Sequence, residues 1–552
     1  MPENTKTKDQ NQKTQNRIIW ILFAVIIIFI YFFGLTIPLL GPDEPRYSQV
    51  AREMFERGDW VTPTLGGFDW FEKPALLYWL QITSYNIFGV SEFAARFGSA
   101  IFGLGTILSL WILGRFATVE NTEERKEDNK AESSIQNRRS KIDFANWLAL
   151  IAASSIGLIV FSRGASFDII LTFPITASLV GFFIYDLLQR RENSKLSSET
   201  PKKNSFISSF LPLVIFYFFI GVALIAKGLV GIVFPFAIVA FYYVLSWKFP
   251  SKTFIFSLFW GTILSLIVAS LWYLPMYQVN GWKFIDEFFI QHHFQRYTSN
   301  KYFHPQPFWF FFLVLPLMTI PWLPFFFAAI WNFIKIQSSK FKIQSSKSEI
   351  RNSDSQTGKT FSISSSPLLL FSFSWMIVPL MFFSFSGSKL PGYILPALPG
   401  ALILTAEYVY GFVRKSEKRR YSLQALAFLT FAIIAFLLQF IVSDFAYRDS
   451  TKGLMETAKT QGYKTEKVLN LHTISHNSEF YAPGRVVRDK DGKLKKLLGV
   501  SEIAEEIERN DGEQVLVLVP LEYLNELTSS NFVETKVLAD NTEIAIVLAS
   551  KK

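Results

Sequence analysis

The feature that most constrains the fold is an uninterrupted apolar run from residue 18 to residue 40, which contains no charged side chain. It exceeds the roughly 20 apolar residues that a helix needs to cross the hydrocarbon layer of a membrane. A cleaved signal peptide would have a shorter apolar region and a small-residue cleavage site, whereas this run leads directly into Gly41 and Pro42. The sequence therefore predicts a transmembrane helix that stays attached.

Comparable apolar segments recur along the chain. Half of the 552 residues are hydrophobic and only 18% are charged, which excludes a soluble multidomain protein of this length. The segment 74–89 is shorter and could be a further short or re-entrant helix. We predict a polytopic α-helical membrane protein with eleven crossings. They lie at 18–40, 93–114, 143–161, 166–188, 207–225, 228–247, 253–277, 308–334, 367–385, 393–413 and 422–443.

Clusters of Lys and Arg lie in alternate loops and indicate the orientation. Examples are Arg138 with Arg139, Arg190 with Arg191, and the basic stretch 414–420. By the positive-inside rule these loops and the N-terminal tail, residues 1–17, are cytoplasmic. The same loops account for the net charge of +10, so we expect no nucleic-acid partner. The absence of cysteine excludes disulfides, thiolate metal sites and a cysteine nucleophile.

The composition changes after residue 443. Helical patterns, LMETAKTQG and SEIAEEIER, alternate with strand patterns, KVLNLH, QVLVLVP and EIAIVL. Residues 444–552 are therefore predicted to form a soluble α/β domain after the transmembrane domain, residues 18–443. An odd number of crossings places this domain on the extracytoplasmic side.

Isolated charges close to apolar segments lie in the loops opposite the basic clusters. An ionisable group at the membrane edge is costly unless it is paired or hydrated. Charges that come from six separate loops on one face therefore predict a shared polar cavity. For each residue alone, the alternative is a side chain that snorkels to water. The residues are Asp43, Glu72, Lys73, Arg163, Asp168, Lys227, His293, Arg296 and Lys389.

The first outer loop, residues 41–92, carries the densest set of these charges. Apolar residues at helical spacing predict an amphipathic helix over 48–58 that lies on the membrane surface. Asp43 and Glu44 come just before it, where a carboxylate either caps the helix start or acts as a general base or cation ligand. Both interpretations stay open for these two residues.

Glu72 and Lys73 precede Pro74, so we expect extended backbone there with the two side chains diverging. The Lys73 ammonium suits a phosphate group. Glu72 could join a His from the loop QHHFQRYTSNKYFHPQP to bind a divalent ion, Zn²⁺ or a similar metal. In that loop Arg296 follows His293 by three residues and would share its face in a helix, where a guanidinium suits phosphate.

Two further lysines lie in tight turns. Lys389 is in SFSGSKLPGYILPALPG and Lys227 is in ALIAKGLVG. Cations in several outer turns suit an anionic lipid headgroup whose chain lies among the helices. Ordinary snorkelling lysines are the alternative.

The loop sequence PDEPRYSQVAREMFERGDWVTP followed by WFEKPALLYW resembles the signature of the aminoarabinose lipid A transferases within the protein O-mannosyltransferase superfamily. That resemblance implies an integral-membrane glycosyltransferase of the GT-C type, with about 11–13 transmembrane helices. Trp70 departs from the Tyr of the best-matched enzymes, and the pair His292 and His293 allows two registers. Matching positions elsewhere are Asp168, Lys227, His293, Arg296, Lys389 and Tyr393.

The resemblance implies transfer of a sugar from a polyprenyl-phosphate (undecaprenyl-phosphate) carrier to an outer-leaflet acceptor such as lipid A, with inversion, in a bacterial inner membrane. Asp43 would be the catalytic carboxylate and Asp168 a second acid. Glu72 and His293 resemble a pair that binds a divalent ion. The donor phosphate and the substrate pocket would be contacted by Lys73, Arg296, Lys227, Lys389, Arg46, Tyr47 and Tyr393.

Other functions stay open at this point. The acceptor could be another glycan, or a protein as in O-mannosylation. A flippase or transporter for polyprenyl-linked lipids would also need a basic cavity among helices, although inverted repeats, which would favour it, are not visible. A binding protein without catalytic activity is a further alternative.

Overall fold

The computed structural model describes residues 3–117, 130–195, 206–294, 305–349 and 366–552. Up to Asp449 these residues are almost entirely helical. The first ten helices are α1 Glu3–Phe32, α2 Asp43–Arg57, α3 Leu76–Phe88, α4 Glu92–Phe116, α5 Lys130–Ser154, α6 Ile156–Phe161, α7 Phe167–Lys195, α8 Phe206–Lys227, α9 Val230–Ser246 and α10 Lys252–Ile285. A π-helix, Asp286–Phe294, continues α10.

The helices that follow complete the membrane part. They are α11 Phe310–Met318, α12 Leu323–Glu349, α13 Pro367–Ser384, a 3-10 helix Pro391–Ala397, α14 Leu398–Val413 and α15 Glu417–Phe436. A π-helical turn, Leu437–Val442, joins α15 to α16, Ser443–Asp449. The last apolar helix therefore continues without interruption to Asp449.

Each of the eleven predicted crossings corresponds to helical structure, but not each is one long helix. Among the described residues, eight helices are long and apolar enough to cross a membrane, and α11 with α12, bent by 115°, makes a ninth. Two shorter apolar helices, Ile142–Ser154 and Val230–Ser246, account for the difference. Two of the predicted crossings are not single helices, because 143–161 breaks at Ser155 and 308–334 bends between α11 and α12.

The C-terminal part is the predicted α/β domain. Its helices are α17 Lys452–Thr460, α18 Asn477–Tyr481, α19 Val500–Arg509 and α20 Leu524–Thr528. After the hairpin β1 Thr64–Leu65 and β2 Phe68–Asp69 of the first outer loop, its strands are β3 Val468–Leu471, β4 Lys496–Leu497, β5 Val515–Pro520, β6 Val533–Asp540 and β7 Ile544–Lys551.

These five C-terminal strands form one sheet in the order β4-β3-β5-β7-β6. The β4-β3-β5 pairs are parallel, whereas β7 is antiparallel to both β5 and β6. Successive residues of β5 point to opposite faces. Val515, Val517 and Val519 pack in the core that includes α19, and Leu516 and Leu518 pack in the core that includes α17.

Helix α2 carries the start of the first outer loop. Its apolar residues Val50, Ala51 and Met54 are fully buried. Helices α3 and α18 pack against α2, so protein and not lipid covers its apolar side. Its place at the membrane surface stays a prediction. The helix also begins earlier than predicted, at Asp43.

Candidate active site

An ion pair between Glu44 and Arg96 holds the segment that precedes α2 in place. Arg96 Nη2 lies 2.6 Å from Glu44 Oε2, and Arg96 Nε donates to Glu44 Oε1 at 3.0 Å. The same carboxylate accepts from the backbone N–H groups of Leu40 at 2.8 Å and Ala165 at 2.7 Å. Glu44 is thus fully engaged in holding loops together, and its partner Arg96, near the start of α4, was not predicted from the sequence.

Asp43, in contrast, stays half-exposed at the start of α2. Its side chain is 50% exposed and accepts from Arg46 Nη2 at 2.7 Å. Arg46 also donates to the carbonyl of Pro42 at 2.8 Å, and its guanidinium lies 5.9 Å from the ring centroid of Trp70. No side chain caps the N-terminus of α2. Of the two acids in the sequence motif, Asp43 is therefore the one whose carboxylate is presented to solvent.

Tyr47, on the same helix as Asp43, contacts a second segment of the site. It is buried, and its ring meets Phe167 edge-on with centroids 4.9 Å apart. Burial, followed by the negative charges of Glu72 and Asp43, raises the pKa of the Tyr47 phenol well above its ordinary value. The phenol therefore stays protonated and can act as a hydrogen-bond donor.

Glu72 and Lys73 form an ion pair, with Lys73 Nζ 3.0 Å from Glu72 Oε1. Both side chains are largely buried, at 14% and 12% exposure. The prediction that they diverge was wrong, because residues 71 and 72 form a turn instead of extended backbone.

Asp168, at the start of α7, pairs with Lys227 at the end of α8. The Lys227 ammonium lies 5.0 Å from the ring centroid of Tyr393, which covers it from the 3-10 helix. Gly392 packs so closely on the Asp168 carboxylate that a Cβ at this position would collide with it. Three segments distant in sequence thus meet at one carboxylate and one ammonium.

Lys389 lies just before that 3-10 helix and is 6% exposed. Its ammonium donates to the carbonyls of Ser386 at 2.6 Å and Gln306 at 3.0 Å. Carbonyl dipoles stabilise the charge without neutralising it. An ammonium has three donors, and the described residues engage two of those of Lys389.

We call Asp43, Glu72, Lys73, Asp168 and Lys227 the polar cluster. Tyr47 lies next to Phe167, which immediately precedes Asp168. The negative charges of Glu72 and Asp43 also help to raise the pKa of Tyr47, so both carboxylates lie near it. The structure therefore brings together three of the loops that were predicted to converge. This arrangement presents cations at the end of apolar helices, which suits the binding of an anionic lipid headgroup.

Of the two predicted metal ligands, Glu72 and His293, only Glu72 has a described side chain. The side chain of His293 and the whole of Arg296 lie outside the described residues. Within the described part of the chain, no three His, Asp or Glu side chains are grouped so that they could hold a metal ion. The binding of a divalent ion by Glu72 and His293 therefore stays a prediction.

The chain is similar in sequence to several known proteins. Residues 17–122 match the family model of dolichyl-phosphate-mannose-protein mannosyltransferase. An undecaprenyl phosphate-alpha-4-amino-4-deoxy-L-arabinose arabinosyl transferase from Yersinia enterocolitica is 29% identical over 420 residues, which are 75% of this chain and 64% of that relative. The relative of the same name from Aeromonas hydrophila is 26% identical over 451 residues, 79% of this chain and 69% of its own. The chain thus spans about two thirds of the length of these relatives.

Two solved structures share the fold. The crystal structure of ArnT from Cupriavidus metallidurans bound to undecaprenyl phosphate superimposes with a TM-score of 0.70 at 20% identity, covering 96% of this chain and 97% of that one. The archaeal oligosaccharyltransferase AglB from Archaeoglobus fulgidus gives a TM-score of 0.52 at 14% identity, covering 93% and 70%. The predicted fold class, a polytopic GT-C membrane protein with a C-terminal α/β domain, is confirmed. The chain is thus similar in sequence to the aminoarabinose transferases and shares its fold with the ArnT crystal structure.

Proposed function

We propose that this protein transfers a sugar from a polyprenyl-phosphate carrier to an acceptor at the outer surface of the bacterial inner membrane. The observation that carries the proposal is the polar cluster at the end of the apolar helices, where carboxylates and ammonium groups from separate loops meet. The curated relatives, named as transferases that use an undecaprenyl-phosphate-linked aminoarabinose, support the donor class. The ArnT structure bound to undecaprenyl phosphate supports it too.

The cations of the site would hold the donor phosphate. Lys389 is the best placed for this role among the described residues, because neutral carbonyls engage its ammonium. Lys73 and Lys227 each have a carboxylate partner, so a phosphate would share them with Glu72 and Asp168. Arg296 stays a predicted fourth cation.

The chemistry requires cleavage of the bond between the anomeric carbon and a phosphate oxygen. Negative charge builds on the departing polyprenyl phosphate, and cations that are already in place stabilise it more strongly as the charge grows. The acceptor oxygen attacks the opposite face of the sugar, so a single displacement inverts the anomeric centre. Its proton leaves to a carboxylate or, if the acceptor is an ionised phosphate, is already absent.

Asp43 is our choice for the carboxylate that orients or deprotonates the acceptor. It is half-exposed, and Arg46 holds it at the start of α2. Tyr47, kept neutral by burial and by nearby negative charge, would donate a hydrogen bond to a substrate oxygen. Asp168 would orient Lys227 and Tyr393 through the ion pair.

The orientation in the membrane is part of the proposal. The basic loops and the N-terminus face the cytoplasm, and the polar cluster and the α/β domain face outward. Lipid A is the first candidate acceptor, because the curated relatives carry an aminoarabinose transferase name. A protein acceptor is the second, since residues 17–122 match a protein mannosyltransferase model.

Mass spectrometry of lipid A and of membrane glycoproteins, from cells with and without this protein, tests the function. A mass shift on lipid A that disappears in Asp43→Ala would support the proposal and identify the sugar. A shift on proteins alone would select the second acceptor class. If neither class changes, lipid A and protein are both excluded as acceptors.

A further inference from the structure

Side chains that include Arg96, Glu44 and Tyr481 bind the backbone of the connection from α1 into α2 and hold it in place. Arg96 donates to the carbonyls of Leu35 at 3.1 Å and Pro38 at 3.0 Å. Glu44 accepts from Leu40 N–H at 2.8 Å. The N–H of Leu39, a fully buried residue, donates to the hydroxyl of Tyr481 at 3.0 Å.

Unlike Arg96 and Glu44, Tyr481 belongs to the C-terminal α/β domain. Its hydroxyl accepts from Leu39 and donates to Glu92 Oε1 at 3.1 Å. Lys452, from the same domain, pairs with that Glu92 oxygen at 2.7 Å. Burial, followed by the charge of Glu92, raises the pKa of the Tyr481 phenol, so its O–H donor persists at neutral pH.

Neighbouring contacts keep this hydroxyl in place. Phe480 is buried in the core of the membrane part, and its carbonyl accepts from Arg52 of α2 at 3.3 Å. Helix α18, which ends at Tyr481, therefore packs directly on the helix that begins with Asp43. Only three residues separate Leu39, held by Tyr481, from Asp43.

We propose that Tyr481 is a positioning residue through which the C-terminal domain sets the place of Asp43. This inference rests on the proposed function for its catalytic consequence, but the contact itself does not depend on the reaction. Without the phenol oxygen, the buried Leu39 N–H has no acceptor, and a buried donor left unpaired is costly. The segment before α2 then relaxes and Asp43 moves relative to the donor. Displacements of about 1 Å can slow a positioned reaction by about 100-fold.

The test uses the full-length protein in lipid nanodiscs and compares Tyr481→Phe with Lys452→Met. Phenylalanine keeps the ring and removes the acceptor of Leu39 N–H, whereas Lys452→Met disturbs the same contact with Glu92 and leaves that acceptor in place. With a polyprenyl-phosphate sugar as donor, we expect kcat of Tyr481→Phe to fall by about 10-fold or more. Its donor KM stays near that of the wild type, since the cations of the site are untouched. Lys452→Met keeps kcat within about twofold.

Hydrogen exchange of the peptide that contains Leu39 to Asp43 provides a readout that does not need turnover. We expect faster exchange in Tyr481→Phe and wild-type exchange in Lys452→Met. Unchanged exchange in Tyr481→Phe, or an equal loss of kcat in both variants, would overturn the positioning role. A wild-type protein that shows no transfer, while Tyr481→Phe still accelerates exchange, would instead refute the proposed function and leave the contact established.

Discussion

Asp168 and Lys227 form an ion pair between the start of α7 and the end of α8, and neither side chain is more than 18% exposed. Removing one member of such a pair leaves a poorly hydrated charge, whereas removing both charges does not. We expect Lys227→Met to lower the free energy of unfolding by on the order of 3 kcal/mol. This value is at the lower end of the range for breaking buried ion pairs, because both side chains keep some exposure.

The double variant Asp168→Asn with Lys227→Met should recover most of that loss. Thermal unfolding in detergent, followed by tryptophan fluorescence, measures both. Equal destabilisation of the single and double variants would contradict the view that the pair is electrostatically coupled. Both variants should lose transfer activity, because both remove the cation beneath Tyr393.

Lys73→Met should weaken donor binding. The ammonium makes a charged contact, and losing such a contact costs about 1.5–3 kcal/mol, which corresponds to a rise in donor KM of about 10- to 100-fold. Lys283→Met is the matched control, since Lys283 belongs to a nearby ion pair, with Asp69 at 2.6 Å, but is 57% exposed. A titration of donor in a transfer assay compares the two. An equal KM for Lys73→Met and wild type would remove Lys73 from the phosphate site.

Arg96→Met should prevent accumulation of folded protein. Arg96 donates to backbone carbonyls within residues 35–38 and pairs with the Glu44 carboxylate. It is nearly fully buried, so its loss leaves several acceptors and one charge unpaired. Arg46→Met, which removes a more exposed pair, should fold normally. Size-exclusion chromatography of the detergent extract distinguishes the outcomes. A monodisperse Arg96→Met protein of wild-type thermal stability would show that this ion pair is dispensable.

High pH should destabilise the protein through its buried tyrosines. The pKa values of Tyr47 and Tyr481 are raised above the ordinary 10.0, by burial first in both cases. Because each phenol has a higher pKa in the folded protein than in the unfolded chain, it contributes fully to stability below its pKa in the unfolded chain. That contribution is lost as the pH rises above about 10. Unfolding midpoints measured between about pH 8 and pH 11 should fall, and less so in Tyr47→Phe. An unfolding midpoint that does not change with pH across this interval would contradict the predicted destabilisation by buried tyrosines.

Metal dependence is a separate prediction, because His293 lies outside the described side chains. If Glu72 and His293 bind a divalent ion, a chelator should abolish transfer and Zn²⁺ should restore it, with His293→Ala unresponsive to added metal. Transfer that persists after exhaustive chelation would assign Glu72 to its ion pair with Lys73 alone.

The sequence was most informative where physical patterns are local. Apolar length predicted the helices, and the alternation of patterns after residue 443 predicted α17, β3, α19, β5 and β7. The side chains of the polar cluster were also identified, because a charge beside an apolar segment is conspicuous. Partnerships across the chain were not predictable in the same way. Nothing local in the sequence joins Glu44 to Arg96 or Leu39 to Tyr481, which are separated by 52 and 442 residues.

The differences between prediction and structure have physical reasons too. The amphipathic pattern of residues 48–58 indicates a helix with one apolar face, but it does not say whether lipid or protein covers that face. Here α18, more than 400 residues away in sequence, covers it. The side chains of Glu72 and Lys73 meet because a turn replaces the extended backbone that Pro74 favours.

The most direct test of the central claim is transfer by purified protein in nanodiscs, with a radiolabelled polyprenyl-phosphate sugar as donor and lipid A or membrane protein as acceptor, comparing wild type with Asp43→Asn. Glu56→Gln is the matched control, because Glu56 is also 50% exposed on α2 and pairs with Arg52, as Asp43 pairs with Arg46. We expect wild type and Glu56→Gln to move label from carrier to acceptor at similar rates, and Asp43→Asn to be slower by at least about 100-fold. Equal transfer by Asp43→Asn would contradict its catalytic role, and no transfer by the wild type to lipid A or to membrane protein would contradict the proposed function.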